Sequence, residues 1–420
     1  FSTILAKLVL KKNSEGRKIM SEPVMKASCY PEIVSLYEEL KEHRRDIHAH
    51  PELGFDTDRT AEKIVAFLKR HEITEIDTTT VKGSVIAVLN GTQPGVTVAL
   101  RADIDALPMP DSSSNPWKST VEGRAHTCGH DGHQTWMLGT AAYLSAHRDF
   151  PGRVVFIFQP AEEIGLGAAA IVKAGILEKY DVKEIYGGHD EPFLDKGSFG
   201  FKVGHLQASA DIFLVEYTGL GTHGGRPHKG LDPLPAITEL YSAYQTIVSR
   251  KVDPLEPAVL SICSINAGRK DNFNVVPAEA SLGGTVRTFS PAVRDLLEEN
   301  MKRMAEGIAQ AHGVKVNFKY TRLISSLNNA EVCTKAGIEE ALKLVGEENV
   351  VKDMTPFMSS EDFSFYQEKI PGSVVRVGVR DENHQVSIHN PLFDFNDEVL
   401  PLASTLFVNI VKSRLAALSK

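Results

Sequence analysis

The sequence is poor in cysteine and carries no pattern of paired cysteines. Its 420 residues include only four, widely spaced and without a Cys-x-x-Cys pair: Cys29, Cys128, Cys263 and Cys333. A chain of this length can bury a large core without disulfides. The scarcity of cysteine therefore favours a reduced, cytoplasmic setting over a disulfide-stabilised secreted one.

Long apolar runs and basic stripes are also missing. Without a run of about twenty apolar residues, no membrane span is expected. The formal net charge of -8 argues against a general nucleic-acid binder. The opening FSTILAKLVLKKNSEGRKIM is apolar and basic but lacks the order of a signal peptide. We interpret residues 1–29 as a leader or an N-terminal extension, and an organelle-targeting role stays open.

Two patterns of secondary structure divide the rest of the chain. Segments 30–207 and 323–420 alternate helices with short buried strands, such as VTVALR, RVVFIF and EIYGG, which predicts an α/β domain with helices on both faces of a sheet. Segment 208–322 reads β-α-β-β-α-β, the order of a ferredoxin-like unit. The smaller domain is therefore predicted to be inserted in the larger one.

Polar residues follow three of the predicted strands. VTVALR leads into Asp103 and Asp105, RVVFIF leads into QPAEE (159–163), and EIYGG leads into His189. Sites in open α/β sheets gather at the carboxyl ends of strands. The segment GRAHTCGHDGH (123–133) precedes a predicted helix, so its histidines and cysteine lie at a loop-to-helix junction.

These residue types suit a divalent metal. A cysteine at a helix N-terminus beside a cation is expected to have a lowered pKa, and Cys, His and Glu ligands suit zinc, with manganese, cobalt or nickel as alternatives. Adjacent carboxylates are costly unless a cation neutralises them. Each motif alone also has a structural interpretation, as a helix cap, a solvated acidic turn or a strand-end histidine. Their convergence on one sheet edge favours the metal site.

The order of motifs along the chain carries a family resemblance. RRDIHAHPELGF, ALRADIDALPM, GRAHTCGHDGH, FQPAEEIGLGA, GTHGGRPHKGLDPL, NVVPAEASLGGTVRTF, SSEDFSFY and SIHNPLFDF follow one another. The chain thereby resembles the aminoacylase/hippurate hydrolase branch of the dinuclear metallopeptidases, which includes plant indole-3-acetyl-amino acid hydrolases. The resemblance covers about 31–418 and implies an open mixed sheet of the zinc-peptidase kind with an inserted lid or dimerisation domain.

The resemblance also implies a set of site residues. Two divalent ions would be held by five ligands, with the first of them shared between the metals: Cys128, His130, Glu163, His189 and His389. Glu162 would be the general base and then the general acid. Asp103 would orient the metal site from behind the ligands. His126 and His133 would not be primary ligands.

The inserted domain would supply substrate contacts. His223 would stabilise the developing oxyanion, often in the partner subunit's site, and a homodimer or higher homo-oligomer would form through this domain. Asn274 and Arg287 resemble substrate-binding positions, and a guanidinium fork suits a carboxylate. A loop histidine and a structural ion pair are the alternatives for His223 and Arg287, and His228 is interpreted as structural.

Other polar residues favour structural roles, and one position departs from the family. His48 and His50 are interpreted as capping or turn packing, and Ser359 and Ser360 as a helix N-cap. Many relatives have an uncharged residue after the histidine of GGHDEPF, whereas this chain has Asp190 and Glu191. The added charge would tighten metal binding or alter the pocket for the acyl group.

These features predict hydrolysis of the amide bond of small N-acyl amino acids to a carboxylic acid and a free amino acid. The alternatives are a dipeptidase or aminopeptidase-like hydrolase of the same mechanism and a non-catalytic metal-dependent binding protein. The sequence does not identify the acyl group or the metal.

Overall fold

The computed structural model describes residues 28–420. The expected leader or extension at 1–29 thus lies outside the described residues, apart from its last two positions. The helices are α1 (Pro31–Ser35), α2 (Tyr37–Ala49), α3 (Asp58–Arg70), α4 (His130–Ala146), α5 (Gly167–Lys173), α6 (Ile176–Lys179), α7 (Pro233–Lys251), α8 (Pro291–His312), α9 (Glu331–Val345), α10 (Ser364–Gln367) and α11 (Leu400–Leu418). Short 3₁₀ turns cover Pro227–Lys229, Glu347–Asn349 and Asp397–Val399.

Sixteen strands complete the described part of the chain. They are β1 (Glu75–Asp77), β2 (Val85–Asn90), β3 (Gln93–Asp103), β4 (Pro151–Gln159), β5 (Val182–Asp195), β6 (Phe199–Gly200), β7 (Gly204–Gln207), β8 (Ala210–Thr218), β9 (Thr222–His223), β10 (Ala258–Ala267), β11 (Val275–Val276), β12 (Glu279–Thr288), β13 (Lys315–Ile324), β14 (Leu327–Asn329), β15 (Val350–Val351) and β16 (Gly372–Arg380).

The first of two compact units contains residues up to Gly204, together with Asn328–Thr355 and Phe365–Lys420. Its sheet has eight strands in the order β1-β2-β4-β3-β5-β16-β6-β15. β3 pairs in parallel with β4 and β5, β5 pairs in parallel with β16, and the β1–β2 and β2–β4 pairs are antiparallel. The predicted open mixed α/β sheet is confirmed.

Helix α4 runs through the core of this unit. Every residue from His130 to Ser145 is buried, which explains why the helix has no polar face. It packs closely against α11, where the Ser404 hydroxyl donates to the Trp136 carbonyl at 2.7 Å. The start of α4 is therefore held in place by packing on all sides.

The segment Asp397–Leu418, which includes α11, is long and apolar enough to cross a membrane by length and composition. However, 72% of its most apolar window is buried inside the protein. Core helices pass the same test, so this helix is weak evidence for a membrane span.

The second unit comprises His205–Leu327 and Pro356–Ser364. Its four-stranded sheet has the order β10-β12-β8-β13, with antiparallel neighbours throughout, and α7 and α8 pack on it. The elements follow one another as β8-α7-β10-β12-α8-β13, the β-α-β-β-α-β order. The sequence placed the inserted domain at 208–322, whereas this unit is slightly longer and also takes in the later segment Pro356–Ser364.

Candidate metal centre

The centre lies in the first unit, where β3 and β4 end beside the middle of β5 and α4 begins. Asp103 ends β3, Glu162 and Glu163 follow β4, and His189 lies within β5. Cys128 precedes α4, and Gly129 between Cys128 and the helix has a left-handed φ of 83°. A side chain at Gly129 would collide with the Asp190 carboxylate, so this turn needs glycine for two reasons.

Two groups of ligand atoms share Cys128. We call Cys128, His130 and His189 the His130 group, and Cys128, Glu163 and His389 the Glu163 group; the ligand atoms within each group lie within 4.8 Å of one another. The Cys128 Sγ is 3.6 Å from the His189 Nε2 and 3.2 Å from the His389 Nε2. The structure thus brings together the five residues that the resemblance implied.

Backbone carbonyls select the tautomers of two histidines. The Nδ1 of His130 lies 2.9 Å from the Asp105 carbonyl oxygen, and the Nδ1 of His189 lies 2.7 Å from the Asp190 carbonyl oxygen. Because a carbonyl only accepts, each Nδ1 must donate. In the neutral rings the Nε2 atoms keep their lone pairs, as metal coordination requires.

Unusual backbone conformations hold the Glu163 group. His389 has a φ of 58°, and Ala161, just before the two glutamates, has a φ of 60°. Such conformations are uncommon in residues other than glycine and cluster at functional sites. The His389 amide donates to the Thr127 carbonyl at 2.7 Å, which fixes this histidine beside Cys128.

The electrostatics of the centre favour a bound cation. Burial raises the pKa of the Cys128 thiol well above its usual range, and Glu163 adds to this effect. Burial also raises the pKa of Glu163 to about 7. The lowered pKa expected for this cysteine assumed a cation beside the helix N-terminus, and in the polypeptide alone burial raises it instead.

Buried ligand atoms also lack partners within the protein. Among residues 28–420, neither the His130 Nε2 nor the Glu163 Oε1 has a hydrogen-bond partner, although they lie only 3.7 Å apart. Buried polar atoms are rarely left unpaired. A divalent cation would satisfy both atoms and would compensate the thiolate and carboxylate charges, so the residues present fit a metal.

Asp105 is a functional candidate that the sequence interpretation did not assign. Its carboxylate accepts hydrogen bonds from the amides of Glu162 at 3.0 Å and Glu163 at 3.2 Å, while its carbonyl orients His130. The sequence signal for Asp105 was its spacing from Asp103, because residues two apart in an extended segment face the same side.

Asp103 and Asp190 flank a second buried histidine. The Nδ1 of His133 lies 2.6 Å from the Asp103 Oδ1, and its Nε2 lies 2.8 Å from the Asp190 Oδ1. Arg101 donates to the other Asp103 oxygen at 2.7 Å. Burial opposes ionisation of Asp103, but His130 and Arg101 hold its pKa well below the usual range. The Asp190 carboxylate therefore contacts His133 in the first turn of α4, and its Oδ1 also lies 3.3 Å from the Nδ1 of the ligand His189.

The predicted substrate residues lie in the second unit. β9 and β11 pair so that His223 lies opposite Val275, the neighbour of Asn274. The Gly224 amide donates to the Asn274 carbonyl at 2.7 Å, so the two predicted residues share one exposed ribbon. Arg287 donates to the Val286 carbonyl at 3.0 Å and to the Thr285 hydroxyl, and forms no ion pair within the described part of the chain.

Two other buried histidines lie near the centre. His48 differs from its sequence interpretation, and His126 has no hydrogen-bond partner among the described residues. His48 does not cap α2: its Nδ1 lies 2.8 Å from the Asp131 Oδ2 in a buried ion-pair network. His126 is buried, both its ring nitrogens lack hydrogen-bond partners among the described residues, and burial lowers its pKa to about 3. Neither histidine belongs to the two ligand groups.

Comparisons with known proteins find relatives along most of the chain. A model of peptidase family M20/M25/M40 matches residues 99–413. The chain is 40% identical over 368 residues to N-acetylcysteine deacetylase from Bacillus subtilis (strain 168), covering 87% of this chain and 94% of that protein. It is 36% identical over 380 residues to hippurate hydrolase from Campylobacter jejuni, with coverages of 90% and 97%. The crystal structure of a dinuclear metal-binding M20 peptidase from Bacillus subtilis is similar with a TM-score of 0.80 and 37% identity, covering 91% of this chain and 99% of that one.

Proposed function

This chain belongs to peptidase family M20/M25/M40, and from that premise we propose that it hydrolyses the amide bond of N-acyl amino acids. Relatives that act on such amides match nearly its whole length. The observation that carries the proposal is the pair of ligand groups sharing Cys128, with Glu162 beside them. Its products would be a carboxylic acid and a free amino acid.

The ligand groups would hold two divalent ions, zinc, manganese, cobalt or nickel. When bound, such ions polarise a carbonyl and make a water molecule more acidic. Cys128 would serve both ions, because its sulfur belongs to both groups. Asp105 would keep His130 oriented by accepting from its Nδ1, and Asp103, whose Oδ2 lies 3.7 Å from the His130 Nε2, would support the site from beside the ligand.

Glu162 would move the proton. Its Oε2 lies 4.0 Å from the His130 Nε2, and its side chain is 11% exposed, so it is open to water at the edge of the centre. It would accept a proton from the attacking water and pass it to the departing amine. Asp105 supports this role, because it fixes the backbone of both glutamates.

The second unit would bind the substrate. His223 would donate to the carbonyl oxygen as negative charge develops, and Asn274 on the same ribbon would contact the substrate. Arg287 would bind the carboxylate of the amino acid, a role supported by the absence of an internal ion pair among the described residues.

We also propose a homodimer formed through the second unit and a cytoplasmic location. The location is supported by the four cysteines, none of which forms a disulfide in the stretch 28–420.

One panel tests the function. Metal-loaded protein is assayed on benzoyl, acetyl and indole-acetyl amino acids and on unblocked dipeptides, with chelator-treated protein and Cys128→Ala as controls. We expect metal-dependent release of free amino acid from the acylated substrates. Hydrolysis restricted to dipeptides would replace the proposal with a dipeptidase, and binding without turnover would replace it with a binding protein.

A further inference from the structure

A buried arginine on α2 connects the chain segments that carry the two ligand groups. Arg44 is fully buried. Its Nη1 donates to the Asp131 Oδ2 at 3.3 Å and to the Asp394 Oδ1 at 3.2 Å, and its Nε donates to the Asp397 Oδ1 at 2.6 Å. The imidazole of His48, one turn along the same helix, lies 3.5 Å from the Nη1.

The carboxylates around Arg44 belong to two separate parts of the chain. Asp131 directly follows the ligand His130 in the first turn of α4. Asp394 and Asp397 follow the ligand His389, at the end of a loop that forms no helix or strand before residue 397 within the described structure. One guanidinium therefore joins the start of α4, which follows Cys128 and carries His130 of the His130 group, to the loop that carries His389 of the Glu163 group.

The loop carrying His389 has apolar anchors at its far end, where Phe393 and Phe395 are buried and the Phe395 ring packs against Trp136 of α4. Its backbone is attached to the rest of the unit by the His389 amide bond to Thr127 and by the Ser112 amide bond to the Pro391 carbonyl, at 2.7 Å each. His389 is 52% exposed, so packing alone does not fix its ring. The ion pairs of Arg44 are buried and forked, which makes them geometrically specific.

We propose that Arg44 is a positioning residue that sets the distance between the two ligand groups. This inference rests on the proposed function, because it assumes that both groups hold metal. Without Arg44, the His389 loop would shift relative to α4. The Glu163 group would then lose its geometry, because it needs His389 from the loop and Cys128 from the start of α4. The His130 group draws no ligand from the loop and would be retained.

The chain offers a matched control on the same helix. Arg45 also binds Asp397, through the Oδ2 at 2.8 Å, but its side chain is 33% exposed and stacks on Trp117. Arg45 forms no ion pair or hydrogen bond with Asp131 or Asp394 within the described residues. Arg45→Met thus removes an ion pair to the same acid without cutting the connection between the two segments.

The experiment measures cobalt binding to metal-free protein by calorimetry and by metal analysis after dialysis. We expect wild type and Arg45→Met to bind two Co²⁺ per chain. Arg44→Met should bind the first with unchanged affinity and the second about 10- to 100-fold more weakly, the usual effect of losing a residue that supports metal ligands. The thiolate-to-cobalt absorption from Cys128 should persist with the first equivalent.

Asp394→Asn is the second variant, in case Arg44→Met does not fold. It keeps an acceptor for the Trp117 indole but weakens the ion pair to Arg44, and the same selective loss of the second metal is expected. Two tight sites in both variants, or equal weakening of both sites, would overturn the inference. If wild type itself binds fewer than two cobalt ions, the proposed dinuclear centre fails, which is a different result from failure of the Arg44 inference.

Discussion

Single residues at this centre adopt conformations that their type does not favour. His389 and Ala161 have left-handed φ values of 58° and 60°. Each such conformation costs of order 1–3 kcal/mol in a residue other than glycine. The surrounding contacts, including the His389 bond to Thr127, hold them in place, and the resulting orientation directs His389 towards Cys128.

Removing the proposed base should stop turnover without removing metal. In Glu162→Gln we expect kcat to fall by about 10²- to 10⁴-fold, because the amide cannot accept a proton. Metal analysis should still find two ions per chain, since Glu162 belongs to neither ligand group. Glu178→Gln, at an exposed position on α6, is the control. Normal activity in Glu162→Gln would exclude the assignment.

The proposed role of Arg287 is tested by comparing substrates with and without a free carboxylate. Arg287→Met should raise KM for N-acyl amino acids with a free carboxylate by about 10- to 100-fold, the value of a lost hydrogen bond to a charged group. Carboxamide analogues of the same substrates should be unaffected, because they carry no carboxylate to bind. An equal loss on both substrate types would indicate a structural role.

At the scale of elements, the metal centre depends on the close packing of α4. A Cβ on Gly139 would lie 3.0 Å from the Leu40 Cδ1 and 3.2 Å from the Ser404 Cβ. We expect Gly139→Ala to lower the free energy of unfolding by about 1–3 kcal/mol through overpacking. Gly307→Ala in the exposed part of α8 meets nothing within 4 Å, and should raise it by about 0.5–1 kcal/mol. Denaturant unfolding measures the free energy of unfolding of both variants, which should change in opposite directions.

The contact between α2 and α4 should make stability depend on pH. Burial opposes the charge on His48, but Asp131 and Asp111 raise its pKa from 6.5 to about 9. A raised pKa stabilises the fold fully below pH 6.5, and the stabilisation is lost as pH rises through about 9. The shift corresponds to about 3 kcal/mol.

Unfolding free energies at several pH values measure this effect. Between pH 6 and 10, wild type should lose stability more steeply than His48→Gln, whereas the control His147→Gln should follow wild type. Parallel curves for wild type and His48→Gln would contradict the assigned role.

At the scale of the whole molecule, the proposed dimer allows a complementation test. Glu162→Gln and His223→Ala should each be inactive alone. If His223 acts in the partner subunit's site, mixed dimers contain one intact site, and random exchange should recover about one quarter of wild-type activity. Size-exclusion chromatography with light scattering establishes the dimer. Mixed dimers without activity would show that His223 does not act across the interface.

Local patterns were sufficient to predict much of this protein. The strand segments VTVALR, RVVFIF and EIYGG lie within β3, β4 and β5, because short apolar runs ended by polar residues are typical of buried parallel strands. The apolar spacing of PEIVSLYEELKEHRRDIHAH (31–50) is typical of one continuous helix, but the structure interrupts it at Leu36, between α1 and α2. The burial of His48 was also not predicted, because its partner Asp131 is distant in sequence.

By itself, the sequence determined the α/β class and the β-α-β-β-α-β order of the second unit, since residue type and periodicity are local properties, and its resemblance to a known family implied the candidate ligands. Only the tertiary structure decided how the five ligands divide between two groups and which residues support them. Asp105, His133 and Arg44 make contacts with segments far away in the chain, and the pKa of Cys128 is raised because folding buries it beside Glu163. Such effects depend on distances and burial, which arise only when the chain is folded.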